Sequence, residues 1–128
     1  MSKHGEIHWS ELVSDDVEGS KAFFSKMAGW EINDMPMPDG NYSVCMVDGV
    51  PTAGIMSAAQ IQADHPVPPH WMTYIAVDDV DAAASGTAAS GGEVVRPAFD
   101  VPGVGRIAIV KDPGGALVGI MTPAPQEG

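Results

Sequence analysis

Apolar and polar residues follow one recurring order along this chain. A strand-like segment opens each half, IHWSELVS from Ile7 and WMTYIAV from Trp71, and both are rich in the β-branched and aromatic residues that favour strands. The segments DDVEGSKAFFSKMAG and DDVDAAASGTAASGG follow. They are predicted helices, because Asp caps free backbone N–H groups and Gly suits the left-handed C-terminal position. Three further strand-like stretches, separated by Gly and Pro turns, complete each half.

The two halves are copies of one module. Asp15-Asp16-Val17 returns as Asp78-Asp79-Val80 at an offset of 63, and Gly54-Ile55-Met56-Ser57 returns from Gly119 at an offset of 65. A period this long indicates duplication of a supersecondary unit rather than a solenoid. The predicted fold class is α+β, with two βαβββ modules forming a curved mixed β-sheet, a half-barrel with the helices outside. The concave face of such a sheet is a natural site for a small ligand.

The modules are assigned to a single domain over residues 1–128. Module one takes residues 6–58, a linker with three prolines takes 59–69, and module two takes 70–123. In the first helix the spacing brings Val17, Ala22, Phe23 and Met27 near one another, which predicts an apolar stripe.

Net charge and cysteine content limit the kinds of molecule that the protein is expected to bind and the compartment in which it is expected to lie. The formal net charge of −11 argues against nucleic acid and anionic membranes, because the field of the protein repels phosphates. The lone cysteine, Cys45, excludes an intramolecular disulfide and favours a cytoplasmic location. We find no signal-peptide pattern and no apolar run near the roughly 20 residues of a membrane span. A small molecule is the expected partner, and a homodimer is expected because open sheets leave edges that need cover.

Two long stretches carry a family resemblance: ELVSDDVEGSKAFFSKMAGW and HWMTYIAVDDVDAAASGTAASGGEVVRPAFDVPGVGRIAIVKDPGGALVGIM. With the paired βαβββ modules, they resemble the vicinal oxygen chelate superfamily, which includes glyoxalase I, extradiol dioxygenases, and bleomycin and fosfomycin resistance proteins. The resemblance covers residues 6–123. It implies the fold, whereas the reaction stays open because this scaffold hosts many activities.

The resemblance also implies four inward-facing metal-ligand positions, usually His, Glu or Gln, on the first and last strand of each module. Aligned on the helix starts, these positions hold Trp9, Gly54, Met72 and Gly119. Aligned on the repeated HW, the first-strand positions hold His8 and His70. Those two histidines cannot share one register without a bulge, since they lie seven and eight residues before the following Asp. The final strands PTAGIMSA and ALVGIMT contain no His, Asp, Glu or Gln, so no metal and no cofactor is expected.

An apolar cleft is the expected alternative to a metal site. Gly54 and Gly119 would leave space where ligands normally stand, and methionine thioethers adapt to varied apolar shapes. Arg106 would meet a ligand carboxylate bidentately, or serve as a structural or solvated residue. The other interpretation of the apolar positions is that they simply fill the interior. The predicted ligand-binding residues are Trp9, Gly54, Met56, Met72, Arg106, Gly119 and Met121.

Glu11 and Tyr74 occupy matching positions in the two copies and are the candidate catalytic residues. Partial burial would raise the pKa of Glu11 and make it a general base, and Tyr74 would donate to a ligand oxygen. Alternatively, Glu11 lies at the surface or pairs with Arg96 or Arg106. The leading hypothesis is a small-molecule binding protein that needs no metal. The second is a lyase, isomerase or dioxygenase-type enzyme on a small carbonyl or aromatic compound, using Glu11 or a non-standard metal held by His8 or His70.

Overall fold

Helices and strands follow one another along the chain in the order that the sequence pattern predicts. The computed structural model describes residues 3–37, 40–60, 68–101 and 104–124, and within them the chain forms eight β-strands and two α-helices. The first half holds β1 (Ile7–Ser14), α1 (Val17–Ala28), β2 (Glu31–Met37), β3 (Gly40–Val47) and β4 (Val50–Ser57). The second half holds β5 (His70–Ala76), α2 (Val80–Thr87), β6 (Glu93–Val101), β7 (Gly105–Lys111) and β8 (Leu117–Pro123). The prediction of an α+β fold made of two βαβββ modules is confirmed.

The chain divides into two compact units, one of residues 9–72 and one of residues 1–8 with 73–128. In the first unit the strand order is β2-β3-β4-β1, with β1 and β4 parallel and the other pairs antiparallel. The second unit contains β5 from residue 73 onward, and its strand order is β5-β8-β7-β6, with β5 and β8 parallel. Each unit therefore has a mixed set of pairings. Most of the predicted linker, residues 61–67, lies outside the described residues.

Strand register shows that the repeat in the sequence is a repeat in the structure. Glu11 is the Cα partner of Gly54 in the first unit, and Tyr74 is the partner of Gly119 in the second. These are the residues that the two offsets match, so the alignment on the helix starts is the structural one. His8 and His70 lie seven and eight residues before the matching Asp, so their side chains occupy opposite faces of their strands. The repeated HW therefore does not mark equivalent positions.

The residues predicted to begin and end the helices do so. Asp16 and Asp79 each accept a hydrogen bond from a backbone N–H in the first helical turn, at 3.0 and 3.2 Å. Gly29 ends α1 with a φ of 70°, and Gly91 ends the short 3₁₀ turn after α2 with a φ of 91°. These are left-handed conformations that glycine adopts without strain. None of the helices in the described ranges is long and apolar enough to cross a membrane.

Helix α1 packs on its sheet through a different stripe from the one predicted. Val17 and Phe24 lie against a buried cluster of strand residues, whereas Phe23 and Met27 are each 59% exposed. The predicted stripe through Phe23 and Met27 is therefore wrong. Residues seven apart, such as Val17 and Phe24, share a helix face, and the sheet contacts that face. The buried cluster beneath α1 comprises Leu12, Cys45, Ala53 and Ile55.

A polar network ties α1 to the strands beside it. Lys21 donates to Glu18 at 2.7 Å and to Asp34 at 2.9 Å, and buried Ser43 donates to Asp34 at 2.6 Å. The Ser43 hydroxyl and the Lys21 ammonium hold the pKa of Asp34 below its usual value. Hydrogen bonds to Glu18 and Asp34 raise the pKa of Lys21. Lys21 and Asp34 are thus both charged at neutral pH.

Asp34→Asn is expected to lower the free energy of unfolding at pH 7 by about 1 kcal/mol, a value kept small because the carboxylate is partly solvated. Since the folded pKa of Asp34 lies below its ordinary 3.8, its contribution is full above about pH 4 and is lost as the pH falls through the lowered folded pKa. Urea unfolding of both proteins from pH 7 down to pH 2 measures this difference. A gap between the curves that stays constant to pH 2 contradicts the linkage.

Candidate functional site

The sheet of the first unit has two chemically different faces. One carries the apolar cluster that α1 covers. Because side chains alternate along strands, the opposite face carries the residues next to that cluster in sequence. Strand pairing aligns Glu11 and Val44 with Gly54, and Met35 with Tyr42, so these residues share that face. We call it the open face; its members include Trp9, Glu11, Met35, Tyr42, Val44, Met46, Gly54 and Met56.

Tyr42 organises the polar groups of the open face. Its hydroxyl accepts a hydrogen bond from Trp9 Nε1 at 2.8 Å and donates one to Glu11 Oε2 at 2.7 Å. Glu11 is only 5% exposed, so its carboxylate is a buried acceptor. Burial, followed by the neighbouring Glu11 carboxylate, raises the pKa of Tyr42 far above its usual value. Tyr42 therefore keeps its proton and remains a donor throughout the physiological pH range.

Gly54 is the residue that makes room for this arrangement. A Cβ atom at position 54 would lie 1.7 Å from Tyr42 Oη and 2.3 Å from Tyr42 Cζ, far inside van der Waals contact. Glycine here leaves room for the hydroxyl end of the Tyr42 side chain, which reaches Glu11. The predicted empty space at Gly54 is thus occupied by Tyr42, a side chain from the neighbouring strand.

The second unit has an equivalent contact between a tyrosine and a glycine, Tyr74 and Gly119. A Cβ atom at Gly119 would lie 2.2 Å from both Tyr74 Cδ1 and Tyr74 Cε1, so the Tyr74 ring covers this glycine. Tyr74 is 4% exposed and Met121, two residues after Gly119, is 3% exposed. The space predicted at Gly119 is therefore filled as well. In each unit a tyrosine ring rests on the glycine of the last strand of the module.

Methionines complete the open face of the first unit. Met56 and Met46 are half-buried, Met35 is 47% exposed, and Met72 is 1% exposed. The thioether of Met46 accepts a hydrogen bond from Asn33 Nδ2 at 3.5 Å. Sequence reasoning missed Tyr42, Met35 and Met46, although the alternation in YSVCMV carried the signal for the first and third.

Arg106 lies beside helix α2 in the second unit. Its guanidinium donates to both carboxylate oxygens of Asp81, at 2.8 and 3.0 Å, and to Asp100 at 3.1 Å. These bonds raise the pKa of Arg106 and lower that of Asp81. Asp81 belongs to α2, and Arg106 pairs in register with Thr122, whose hydroxyl accepts a hydrogen bond from the first backbone N–H of that helix. The contacts with Asp81 and Asp100 match the structural alternative given for Arg106, and its role toward a ligand stays a prediction.

The metal site that the resemblance implies does not fit the residues present. Two of its four positions are glycines covered by tyrosine rings, and the other two are Trp9 and Met72. Octahedral divalent-metal sites need oxygen or imidazole donors. Among the described residues, no three His, Cys, Asp or Glu side chains gather in a way that could hold a metal ion.

Comparison with known proteins identifies the family. Residues 6–120 match the model of the Glyoxalase/Bleomycin resistance protein/Dioxygenase superfamily. The chain belongs to this superfamily. Among solved structures, methylmalonyl-CoA epimerase from Mycobacterium tuberculosis superposes with a TM-score of 0.64 at 17% identity, covering 98% of this chain and 93% of that one. At that identity the likeness shows the superfamily fold alone.

Two relatives are closer in sequence. CFP32 of Mycobacterium bovis, whose name assigns it provisionally as a glyoxylase, is 38% identical over 120 residues, 92% of this chain and 46% of that protein. The anthracycline biosynthesis protein DnrV of Streptomyces peucetius is 32% identical over 138 aligned positions, 97% of this chain and 49% of that protein. The chain thus spans about half the length of the curated relatives it matches.

Proposed function

We propose that this superfamily member binds a small apolar or aromatic molecule on the open face of its first unit and does so without the usual metal. The observation that carries the proposal is the Tyr42 phenol, fixed between Trp9 Nε1 and Glu11 and lying on Gly54. A protein ring takes the place of a metal-ligand side chain there. The remaining surface is suited to contact with flat apolar molecules.

The chemistry of the surrounding side chains supports an apolar ligand. Trp9 and Tyr42 offer aromatic surface at small cost in conformational entropy, since both rings are held by hydrogen bonds. Met35, Met46 and Met56 add flexible, polarisable thioethers, which accommodate ligands of varied shape. The Tyr42 hydroxyl bonds to both Trp9 Nε1 and Glu11 Oε2, so the ligand does not have to satisfy those contacts. We infer that shape and stacking dominate the affinity.

The names of the relatives are compatible with this class of ligand. The Streptomyces relatives are named for anthracycline biosynthesis, and anthracyclines are fused-ring aromatic compounds. The chain covers 49% of the DnrV sequence, so the activity of that whole protein is not transferred. We carry over only the class of ligand, an aromatic molecule.

Isothermal titration with 2-methoxynaphthalene, a flat molecule without a hydrogen-bond donor, tests the proposal. The wild-type protein is expected to bind it, and Trp9→Phe should weaken the affinity about tenfold, equivalent to roughly 1.4 kcal/mol, through lost contact area and loss of the N–H that holds Tyr42. The matched control is Trp71→Phe, because Trp71 is 47% exposed and contacts Phe24 and Trp30 on the helix side.

The same titration with EDTA present tests the metal-free part of the proposal. Affinity is expected to be unchanged, and elemental analysis of the purified protein should show no stoichiometric transition metal. Equal effects of the two tryptophan substitutions contradict the assignment of the open face. Loss of binding in EDTA contradicts the absence of a metal role.

A further inference from the structure

His70 opens β5 with its imidazole in a fixed orientation. Its Nδ1 lies 2.7 Å from the backbone carbonyl oxygen of Pro68. A carbonyl only accepts hydrogen bonds, so Nδ1 carries the proton in this contact. In the neutral ring the other nitrogen, Nε2, then presents a lone pair. The backbone of the preceding residues thus turns His70 Nε2 into an acceptor.

This acceptor is buried and has no partner within the part of the chain that the structure describes. Buried polar atoms in folded proteins are nearly always hydrogen-bonded, and leaving one unpaired costs free energy. In the described residues that are not exposed, His70 Nε2 is the buried side-chain nitrogen or oxygen atom that lacks a hydrogen-bond partner. A donor from outside the protein would remove the cost.

The open face is where His70 points. Its neighbour Trp71 contacts Phe24 and Trp30, with ring centroids at 5.5 and 6.3 Å, and so faces the helix side. Alternation along β5 places His70 and Met72 on the opposite side. Residues 70–72 belong to the same unit as Trp9, Tyr42 and Gly54. The unpaired acceptor therefore lies on the face proposed to bind the ligand.

We propose that His70 Nε2 accepts a hydrogen bond from a hydroxyl or N–H group of the bound aromatic molecule, which makes the ligand class a hydroxy- or amino-aromatic compound. This inference rests on the proposed function and deepens it, since it names the polar group that the preferred ligand carries. The Tyr42, Trp9 and Glu11 contacts are internal. His70 is thus a specificity-determining residue, selecting donors over acceptors.

Two probes of matched shape test the assignment by isothermal titration. 2-Naphthol carries a hydroxyl donor, and 2-methoxynaphthalene has only an ether oxygen. The wild-type protein is expected to prefer 2-naphthol, and His70→Phe should weaken 2-naphthol binding about tenfold while leaving 2-methoxynaphthalene binding unchanged. His70→Gln, whose side-chain oxygen can accept, should recover part of the preference. The control is His4→Phe, because His4 is exposed and lies in the other unit.

Nitrogen NMR of the wild-type protein labelled with ¹⁵N-histidine gives a second readout that needs no variant to fold. The Nε2 resonance of His70 is expected to shift on addition of 2-naphthol and to stay in place with 2-methoxynaphthalene. An unmoved resonance, or His70→Phe weakening both probes equally or neither, overturns the role of His70 while leaving the open face as the binding surface. A wild-type protein that binds neither probe overturns the proposed function and this assignment with it.

Discussion

Gly119→Ala is expected to lower the free energy of unfolding by about 3 kcal/mol, near the upper end of the usual cost of overpacking a core. The new methyl group would start 2.2 Å from two carbon atoms of the Tyr74 ring, whereas carbon atoms pack at roughly 3.5 to 4 Å. The ring is 4% exposed, so it cannot turn aside without losing burial or displacing neighbours. Urea unfolding at pH 7, followed by circular dichroism, measures the change.

A double-mutant cycle separates this collision from a general intolerance of substitution in β8. In a Tyr74→Ala background the ring is absent, and adding Gly119→Ala should then cost close to nothing. Gly86→Ala is the matched control, because Gly86 lies in α2 with open space where the new methyl group would point and alanine favours helices. An equal loss for Gly119→Ala in both backgrounds contradicts the contact with Tyr74.

Tyr42→Phe is expected to lower the free energy of unfolding by about 2 kcal/mol. The substitution keeps the ring on Gly54 but removes the hydroxyl that donates to buried Glu11 and accepts from Trp9. Trp9 Nε1 and Glu11 Oε2 then each lose this hydrogen bond. Burying a polar group without such a partner costs about 1 to 3 kcal/mol. The same urea experiment measures the difference.

Thr52→Val is the control for removing a hydroxyl from the same unit. Thr52 is exposed, and its hydroxyl lies 3.3 Å from the Val50 carbonyl, so its loss should stay within about 0.5 kcal/mol. If Tyr42→Phe falls in the same range, the hydrogen bonds around Tyr42 do not stabilise the open face in the way proposed here.

The order of elements could be predicted because its signals are local. Asp16 and Asp79 cap helices that begin at the following residue, and Gly29 takes the left-handed conformation that ends α1. Segments rich in β-branched and aromatic residues, separated by Gly and Pro turns, indicated the strands. The offsets of 63 and 65 also matched equivalent positions of the two copies, since Glu11 pairs with Gly54 as Tyr74 pairs with Gly119.

The candidate site was harder to predict because its contacts join distant parts of the chain. Tyr42 and Glu11 are 31 residues apart, and only the pairing of β3, β4 and β1 brings them together. A glycine in a strand pattern does not reveal which ring will cover it. For the same reason the partner of Arg106 could not be predicted, since Asp81 lies 25 residues earlier in the chain.

Other expectations remain predictions. Glu11 as a general base, Tyr74 as a hydrogen-bond donor to a ligand oxygen, the homodimer and the cytoplasmic location belong to this group. Glu11 does lie in the environment predicted for it, since it is 5% exposed and accepts a hydrogen bond from Tyr42.

The amino-acid sequence by itself determined the duplicated βαβββ plan, the helix ends and the loss of donor side chains from the last strand of each module. These follow from short-range backbone preferences and from residue type. The tertiary structure alone decided that Tyr42 and Tyr74 fill the space beside Gly54 and Gly119 and that His70 Nε2 is buried without a partner in the described chain. The reason is that packing depends on which strands become neighbours, and neighbours in a sheet need not be neighbours in sequence.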